Sequence, residues 1–147
     1  MCEDLKKTLL FNNTAYGLAG PQLGYDLRMI VVRAKAEDVS YNDPQDIPLT
    51  IMINPKWKKL DDSTDEQYEA CASVPQIVGK VKRYKNIEIE YYDENAKYVK
   101  KQVSGFFARL IQHECDHLDG IVFLNRVEKD FATKDMVKKY NLKKSSE

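Results

Sequence analysis

The chain has 147 residues, with 23 basic and 23 acidic residues that give a formal net charge of zero. This length suits one domain with its own core, and the balanced charge excludes a long-range field that would attract nucleic acid or an anionic membrane. No apolar run approaches the roughly 20 residues that a membrane span needs. We therefore expect a single domain over 1–147 with a disordered tail at about 142–147, and neither nucleic acid nor membrane as a partner.

The chain contains three cysteines, Cys2, Cys71 and Cys115. An odd number fits poorly with a disulfide framework in a chain of this size. The first residues also lack the apolar region of a secretory signal. Free thiols or a metal ligand are therefore the better interpretations, and we expect a soluble protein kept in a reducing compartment.

In the first half of the chain, residues 2–11 are predicted to form a short helix because their leucines share one side. Met29–Val32 and Thr50–Ile53 are apolar runs of strand length, and an Asn-Pro pair is expected to end the second. The segment 36–48 contains prolines, asparagines and acids, which predicts an exposed loop.

In the second half, Val78–Val81 reads as a short strand, and Ile87–Tyr91 and Tyr98–Val103 as the arms of a hairpin. The most apolar helix is predicted at 106–118, and a last amphipathic segment at about 131–141 is predicted to be helical. The order of a helix, several strands and a helix predicts an α+β fold, in which a mainly antiparallel sheet packs around a central helix.

The predicted helix 106–118 carries the two histidines of the chain within the sequence QHECDHLDG. Residues four apart share a helix face, so His113 and His117 point the same way, with Glu114 about 100° round from His113. In a His-Glu-x-x-His arrangement the imidazoles bind a metal and the glutamate transfers protons. Two surface histidines without a metal are the alternative, but charged Glu114 and Asp116 would be costly to bury on so apolar a helix without partners.

A catalytic site of this kind usually has three protein ligands and one open position. One known continuation of the motif would place a ligand at position 123, which is Phe. Glu128 or Asp130 would require a sharp reversal of the chain, and Cys115 points about 200° away from His113. Cys71, in a segment predicted to lie between strands, is the remaining candidate, although its spacing fits a plain core cysteine equally well.

Three motifs in order resemble those of peptide deformylase, the metallohydrolase that removes the formyl group from N-formylmethionyl peptides. QHECDHLDG fits the family's Gln-His-Glu-x-Asp-His-Leu-x-Gly at every fixed position. EACAS, at 69–73, resembles Glu-Gly-Cys-Leu-Ser, and AYGLAGPQ, at 15–22, resembles Gly-x-Gly-x-Ala-Ala-x-Gln, each with two changes. The resemblance covers roughly 3–128.

The resemblance implies that Cys71, His113 and His117 bind one divalent metal. Ferrous iron is the metal that the family implies, and a Cys/His/His site also suits zinc, nickel or cobalt. Glu114 would be the general acid and base.

The resemblance also implies the substrate contacts. Gln22 would donate its side-chain amide to the developing oxyanion, and the backbone N–H of Ala72 would be a second donor. Gly17 would lie against the substrate main chain. Leu110 and the aliphatic stem of Arg109 would offer apolar surface to a methionine side chain.

Two acids in the motifs are expected to have structural roles. Glu69 and Arg83 fall where the family has an acid and a base that pair beside the cysteine, and we expect this pair to hold the Cys71 segment in place. Asp116 is expected to be an orienting or capping residue rather than a metal ligand.

The departures from the family motifs fall on small residues. Ala15 and Ala70 replace glycines, which would strain the backbone if these positions need positive φ. Gly20 replaces an alanine and is expected to loosen the loop that holds Gln22. Ala72 replaces a leucine and is expected to widen the substrate pocket.

The resemblance implies a monomeric enzyme that deformylates newly made proteins, with nascent chains at the ribosome as partners, and that releases formate. Two alternatives stay open: a deformylase-like protein that acts as a different amidase, or a non-catalytic peptide binder. A structural zinc domain is disfavoured because three ligands leave one position open. Family members usually have a further segment before the first helix, so we expect a cytoplasmic location if the protein is bacterial, and an organelle matrix if the N-terminus has been trimmed.

Overall fold

A computed structural model describes residues 2–11, 15–71, 74–127 and 131–133. Its helices and strands are, in chain order, α1 (Cys2–Phe11), β1 (Gly17–Ala19), β2 (Met29–Ala34), β3 (Ile47–Lys59), β4 (Thr64–Cys71), β5 (Val74–Tyr84), β6 (Asn86–Tyr92), β7 (Tyr98–Ser104), α2 (Gly105–Leu118) and β8 (Phe131–Thr133). Single 3-10 turns lie at Gly20–Leu23, Ala36–Asp38 and Phe123–Arg126. No helix in these described parts is long and apolar enough to cross a membrane.

The described strands form two sheets. The larger has the order β1-β2-β3-β6-β7 and the smaller the order β4-β5-β8. Every pairing between these strands is antiparallel. The predicted α+β class with mainly antiparallel strands is therefore confirmed, although the strands are divided between two sheets rather than joined in one.

The larger sheet is covered on both faces in the region of β2. Successive residues of a strand point to opposite faces, so Ile30 packs in the same buried cluster as Phe106 and Ile111 of α2. Its neighbour Val31 packs instead with Leu5 of α1. α2 also contacts the smaller sheet through β5, so one helix touches both sheets.

Two strands differ from the sequence prediction. β3 does not end at the Asn-Pro pair, as predicted, but continues to Lys59. The backbone of Asn54 is left-handed, with φ of 51°, and the pairing with β6 shifts register between Ile53 and Lys56. The strand therefore accommodates the Asn-Pro pair as a β-bulge. β4 was not predicted, since its inward positions include the polar Gln67 and Glu69 rather than apolar residues. Cys71 is therefore the last residue of a strand and not part of a link between strands.

The remaining element predictions have mixed outcomes. The helix at 2–11 and the hairpin of β6 and β7 are confirmed. The strand predicted at Val78–Val81 is longer and forms part of β5. The helix predicted at 131–141 is wrong at its start, where Phe131–Thr133 pairs as β8 with β5. The rest of that segment and the tail 142–147 lie outside the described residues.

Candidate metal centre

α2 brings the two histidines together as its periodicity predicts. The rings of His113 and His117 have centroids 5.0 Å apart. Both side chains are largely buried, on a helix that packs in the main core cluster and contacts β5 of the smaller sheet. The histidines therefore point into the protein interior and not into solvent.

The end of β4 adds a third donor. Cys71 Sγ lies 3.3 Å from His117 Nε2. One ligand atom from each of Cys71, His113 and His117 falls within 4.8 Å of the other two. Cys115, by contrast, is buried in the main core cluster, as predicted. The tertiary structure thus identifies Cys71 as the candidate third metal ligand.

The donor set fits a divalent metal. A thiolate and two imidazoles are ligands that zinc and other late first-row divalent metals accept. His113 Nδ1 lies 2.8 Å from Glu69 Oε1, and because a carboxylate only accepts hydrogen bonds, Nδ1 carries the proton. Nε2 of His113 is then left to bind a metal, which is the usual arrangement of a metal-binding histidine with a carboxylate behind it.

Glu69 is a buried anion shared by several donors. Arg83 donates to both of its oxygens, at 3.0 and 2.8 Å, so the predicted Glu69–Arg83 pair is present. Arg109 Nη1 also donates to Glu69 Oε2. Burial opposes ionisation of this carboxyl, but Arg83 outweighs it and holds the pKa of Glu69 well below its usual value. Glu69 is therefore an anion that orients His113.

Asp116 extends this ionic network along α2. Arg83 Nη1 donates to Asp116 Oδ2 at 2.6 Å, and Arg126 Nη2 donates to Asp116 Oδ1 at 2.7 Å. Asp116 thus joins β5, α2 and the 3-10 turn that follows α2, in agreement with the expected orienting role. The contact of Arg126 with Asp116 is not predictable from the sequence, since nothing in the spacing of Arg126 from the motif indicates it.

Glu114 lies beside the three donors. It is 3% exposed, and burial raises the pKa of its carboxyl above the usual value. Its Oε2 is buried without a hydrogen-bond partner among the described residues. A Cβ built on Gly17 would lie 2.8 Å from Glu114 Cγ, so only glycine leaves room for this side chain. A buried carboxylate next to three candidate metal ligands is suited to transfer protons.

Gln22 is held in a defined orientation. Its Oε1 accepts a hydrogen bond from the backbone N–H of Ala19 at 2.8 Å, and its Nε2 lies 3.9 Å from Cys71 Sγ. Gly20 lies in close backbone contact, since a Cβ there would be 2.8 Å from Leu27 O. The structure thus favours a tightly packed turn around Gln22 over the loosened loop expected from Gly20.

The alanines that replace family glycines cause no visible strain. Among the described non-glycine residues, positive φ occurs at Asp43, Asn54 and Ala96 only, and not at Ala15 or Ala70. Ala72, whose backbone N–H is the second predicted oxyanion donor, lies outside the described residues. The role assigned to it stays a prediction.

A cavity of about 310 Å³ opens beside the metal-binding donors. Its lining combines polar groups with apolar ones, and includes Gln22, Cys71, His113 and Glu114 together with Tyr16, Tyr41, Phe106 and Leu110. Arg109 also lines the cavity, but its guanidinium is engaged with Glu69, with Asp65 Oδ1 at 3.0 Å and with Val81 O at 3.1 Å. The contacts of Gly17, Arg109 and Leu110 with a substrate stay predictions.

Comparison with known proteins identifies relatives over most of the chain. The family model for polypeptide deformylase matches residues 1–132. Peptide deformylase 2 of Ralstonia nicotianae is 40% identical over 116 residues, which are 79% of this chain and 64% of the relative. Peptide deformylase 1 of Bordetella pertussis is 39% identical over 111 residues, which are 76% of this chain and 62% of the relative. The chain thus spans less than two thirds of the length of these relatives.

Solved structures give the same result. A K4U-bound class I type b peptide deformylase from Acinetobacter baumannii has a TM-score of 0.77 and 31% identity, and the match covers 86% of this chain and 78% of that one. Peptide deformylase from Thermotoga maritima has a TM-score of 0.68 and 32% identity, over 86% of this chain and 83% of that one. The chain therefore belongs to the polypeptide deformylase family.

Proposed function

We propose that the chain is a metal-dependent peptide deformylase, which hydrolyses the formyl amide of N-formylmethionyl peptides of newly made proteins and releases formate. The observation that carries the proposal is the convergence of Cys71, His113 and His117 beside Glu114, whose buried Oε2 has no hydrogen-bond partner among the described residues. Family membership and a similar structure support the substrate class, since the Acinetobacter baumannii enzyme with a TM-score of 0.77 is bound to Met-Ala-Ser.

Cys71, His113 and His117 would hold the metal, and we propose ferrous iron as the native one, with zinc, nickel or cobalt as substitutes. A divalent metal in such a site supplies a Lewis acid that lowers the pKa of water toward neutrality. Glu69 keeps the His113 ring in the orientation that this binding requires.

Glu114 is assigned the proton transfers. Its buried carboxylate takes a proton from the attacking water and passes it to the amine that leaves the formyl carbon. Water thereby adds across the amide C–N bond, and the products are formate and a free amino terminus. Gly17 leaves the space that Glu114 occupies.

Gln22 and Ala72 are assigned to the oxyanion. The side-chain amide of Gln22, oriented by the backbone N–H of Ala19, provides a donor without adding charge. The backbone N–H of Ala72 is the proposed second donor. Loss of one such donor typically costs about 3–4 kcal/mol of transition-state stabilisation.

The cavity is assigned to the first substrate residue. Leu110 and the stem of Arg109 would contact its side chain, and Gly17 its main chain. α2, which contacts both sheets, is the proposed central helix on which these groups are arranged. We further propose that the protein acts as a monomer on nascent chains at the ribosome, in a bacterial cytoplasm or an organelle matrix.

The direct test is formate release from formyl-Met-Ala-Ser by anaerobically prepared protein of known metal content. We expect turnover by the wild type and loss of turnover in Glu114→Gln with the metal retained. Glu37→Gln, at an exposed position away from the cavity, is the matched control and should stay active. Absence of turnover in wild-type protein with one bound metal would contradict the proposal and would favour a different amidase or a peptide binder.

A further inference from the structure

Tyr41 lines the cavity but belongs to none of the three sequence motifs. It belongs to the segment 36–48 that was predicted to be an exposed loop, yet its ring lines the cavity. The ring stacks on Phe106 of α2, with centroids 5.4 Å apart and planes 24° apart. Tyr16 contacts both rings edge-on, at 6.5 Å from Tyr41 and 5.1 Å from Phe106. Three aromatic rings thus form one continuous wall, here called the aromatic wall.

The segment that carries Tyr41 is fixed on both sides of it. Hydrogen bonds connect this segment to β4, to α2 and to the residue before β1. Tyr16 Oη donates to Asp38 O at 2.7 Å, Asn42 N donates to Gln67 Oε1 at 2.9 Å, and Phe107 N donates to Gln45 Oε1 at 2.8 Å. Gly105, at the start of α2, also lies close to this segment, since a Cβ there would be 2.8 Å from Asp43 Cβ. The position of Tyr41 is therefore set by the surrounding structure.

The large apolar side chains that line the cavity, Tyr41 included, pack on the main core. Phe106 and Leu110 belong to the main buried cluster, and Tyr16 and Tyr41 pack against it. Protein interiors are close-packed, so a wall built into the core resists a side chain that is too large. The ring of Tyr41 is the part of this wall that comes from a segment between strands rather than from a motif or from α2.

We propose that Tyr41 is a specificity-determining residue, whose ring limits the size of the first substrate side chain that the cavity accepts. The inference rests on the proposed deformylase function and deepens it. A flexible, unbranched side chain such as that of methionine fits beside the aromatic wall, whereas a side chain that carries its own ring competes with Tyr41 for space. Discrimination by one such steric feature of an apolar pocket is typically about 10- to 200-fold.

The test compares kcat/KM for formyl-Phe-Ala-Ser and formyl-Met-Ala-Ser. In Tyr41→Ala we expect the ratio of the first value to the second to rise by about tenfold. Tyr41→Phe, which keeps the ring, should leave the ratio at the wild-type value. Tyr92→Ala, at an exposed tyrosine of β6 outside the cavity lining, controls for tyrosine truncation in general and should also leave it unchanged.

Thermal unfolding confirms that each variant is folded. If Tyr41→Ala does not fold, Tyr41→Leu keeps apolar volume without the ring and should shift the ratio in the same direction by a smaller factor. An unchanged ratio in a folded variant without the ring would overturn the role of Tyr41. Failure of the wild type on both substrates would instead contradict the deformylase function, so the two outcomes are distinguishable.

Discussion

Glu69 is the residue on which the candidate metal centre depends most. It is 2% exposed and contacts His113, Arg83 and Arg109 at once. A buried carboxylate is tolerated when it is paired and fully hydrogen-bonded, and removal of one partner leaves uncompensated charge behind. Glu69 therefore links the orientation of His113, a candidate metal ligand, to the stability of the domain.

We predict that Glu69→Ala lowers both metal occupancy and stability. His113 loses the acceptor that fixes its ring, and Arg83 and Arg109 each lose one of their carboxylate partners. Breaking a buried ion pair costs about 3–5 kcal/mol in comparable cases. Metal stoichiometry and denaturant unfolding measure the two effects. Glu66→Ala, on the same strand but 43% exposed, is the control and should change neither greatly. Unchanged occupancy in Glu69→Ala would contradict the orienting role.

Cys71 is the proposed thiolate ligand of the candidate metal centre. A thiolate that binds ferrous iron and the iron itself are both open to oxidation. We predict that iron-loaded protein loses deformylase activity in air, and that nickel- or cobalt-loaded protein loses it more slowly. Activity followed over time under air and under argon checks this, and an air-stable iron form would count against it.

At the scale of elements, the chain after α2 packs back onto the smaller sheet. Phe123 is fully buried and stacks on the His113 ring, with centroids 6.4 Å apart. Val127 then lies against β5, where a Cβ on Gly79 would be only 2.4 Å from Val127 Cγ2. This segment thus packs against His113 and against β5, and its fit requires glycine in β5.

We predict that Gly79→Ala destabilises the protein by about 1–3 kcal/mol, the usual cost of overpacking a well-filled interior. The clash is with a single methyl group, so Val127→Ala should relieve it. The double variant should therefore be more stable than the sum of the two single changes indicates. Free energies of unfolding for the four proteins of this cycle give the coupling, and strict additivity would refute the contact.

At the scale of the whole molecule, the three candidate metal ligands come from elements that belong to or pack on different sheets. Cys71 ends β4 of the smaller sheet, whereas His113 and His117 lie on α2, which packs into the core of the larger one. A metal bound by all three donors would therefore cross-link parts of the fold that are distant in sequence. A metal that binds the folded state and not the unfolded chain would stabilise the folded state by mass action.

We predict that chelation of the metal lowers the melting temperature of the wild type, and that added metal restores it. Cys71→Ser should melt at a temperature that no longer responds to metal. Cys2→Ser, which changes a cysteine of α1 outside the centre, is the matched control and should respond like the wild type. Differential scanning calorimetry with and without metal checks the prediction; a metal-responsive Cys71→Ser protein would exclude the cross-link.

Local sequence patterns were sufficient for several elements of this fold. The leucines of α1 and the alternation of apolar and charged residues in the β6–β7 hairpin are local patterns, and each predicts its element from a few neighbouring residues. β4 was not predicted because the polar residues Gln67 and Glu69 occupy its inward positions. A buried polar side chain is stable only when other parts of the chain provide hydrogen-bond partners. Those partners, from the 36–48 segment, β5 and α2, are not visible in the sequence of β4 itself.

The sequence by itself determined that His113, Glu114 and His117 share one region of a helix, because helical periodicity acts over four residues. The motifs also indicated the family and the pairing of Glu69 with Arg83. Only the tertiary structure decided that Cys71 meets the histidines, that Arg109 and Arg126 join the ionic network, and that Tyr41 enters the cavity. These contacts join residues far apart in the chain, and they form because two sheets pack against one helix, which no local pattern specifies.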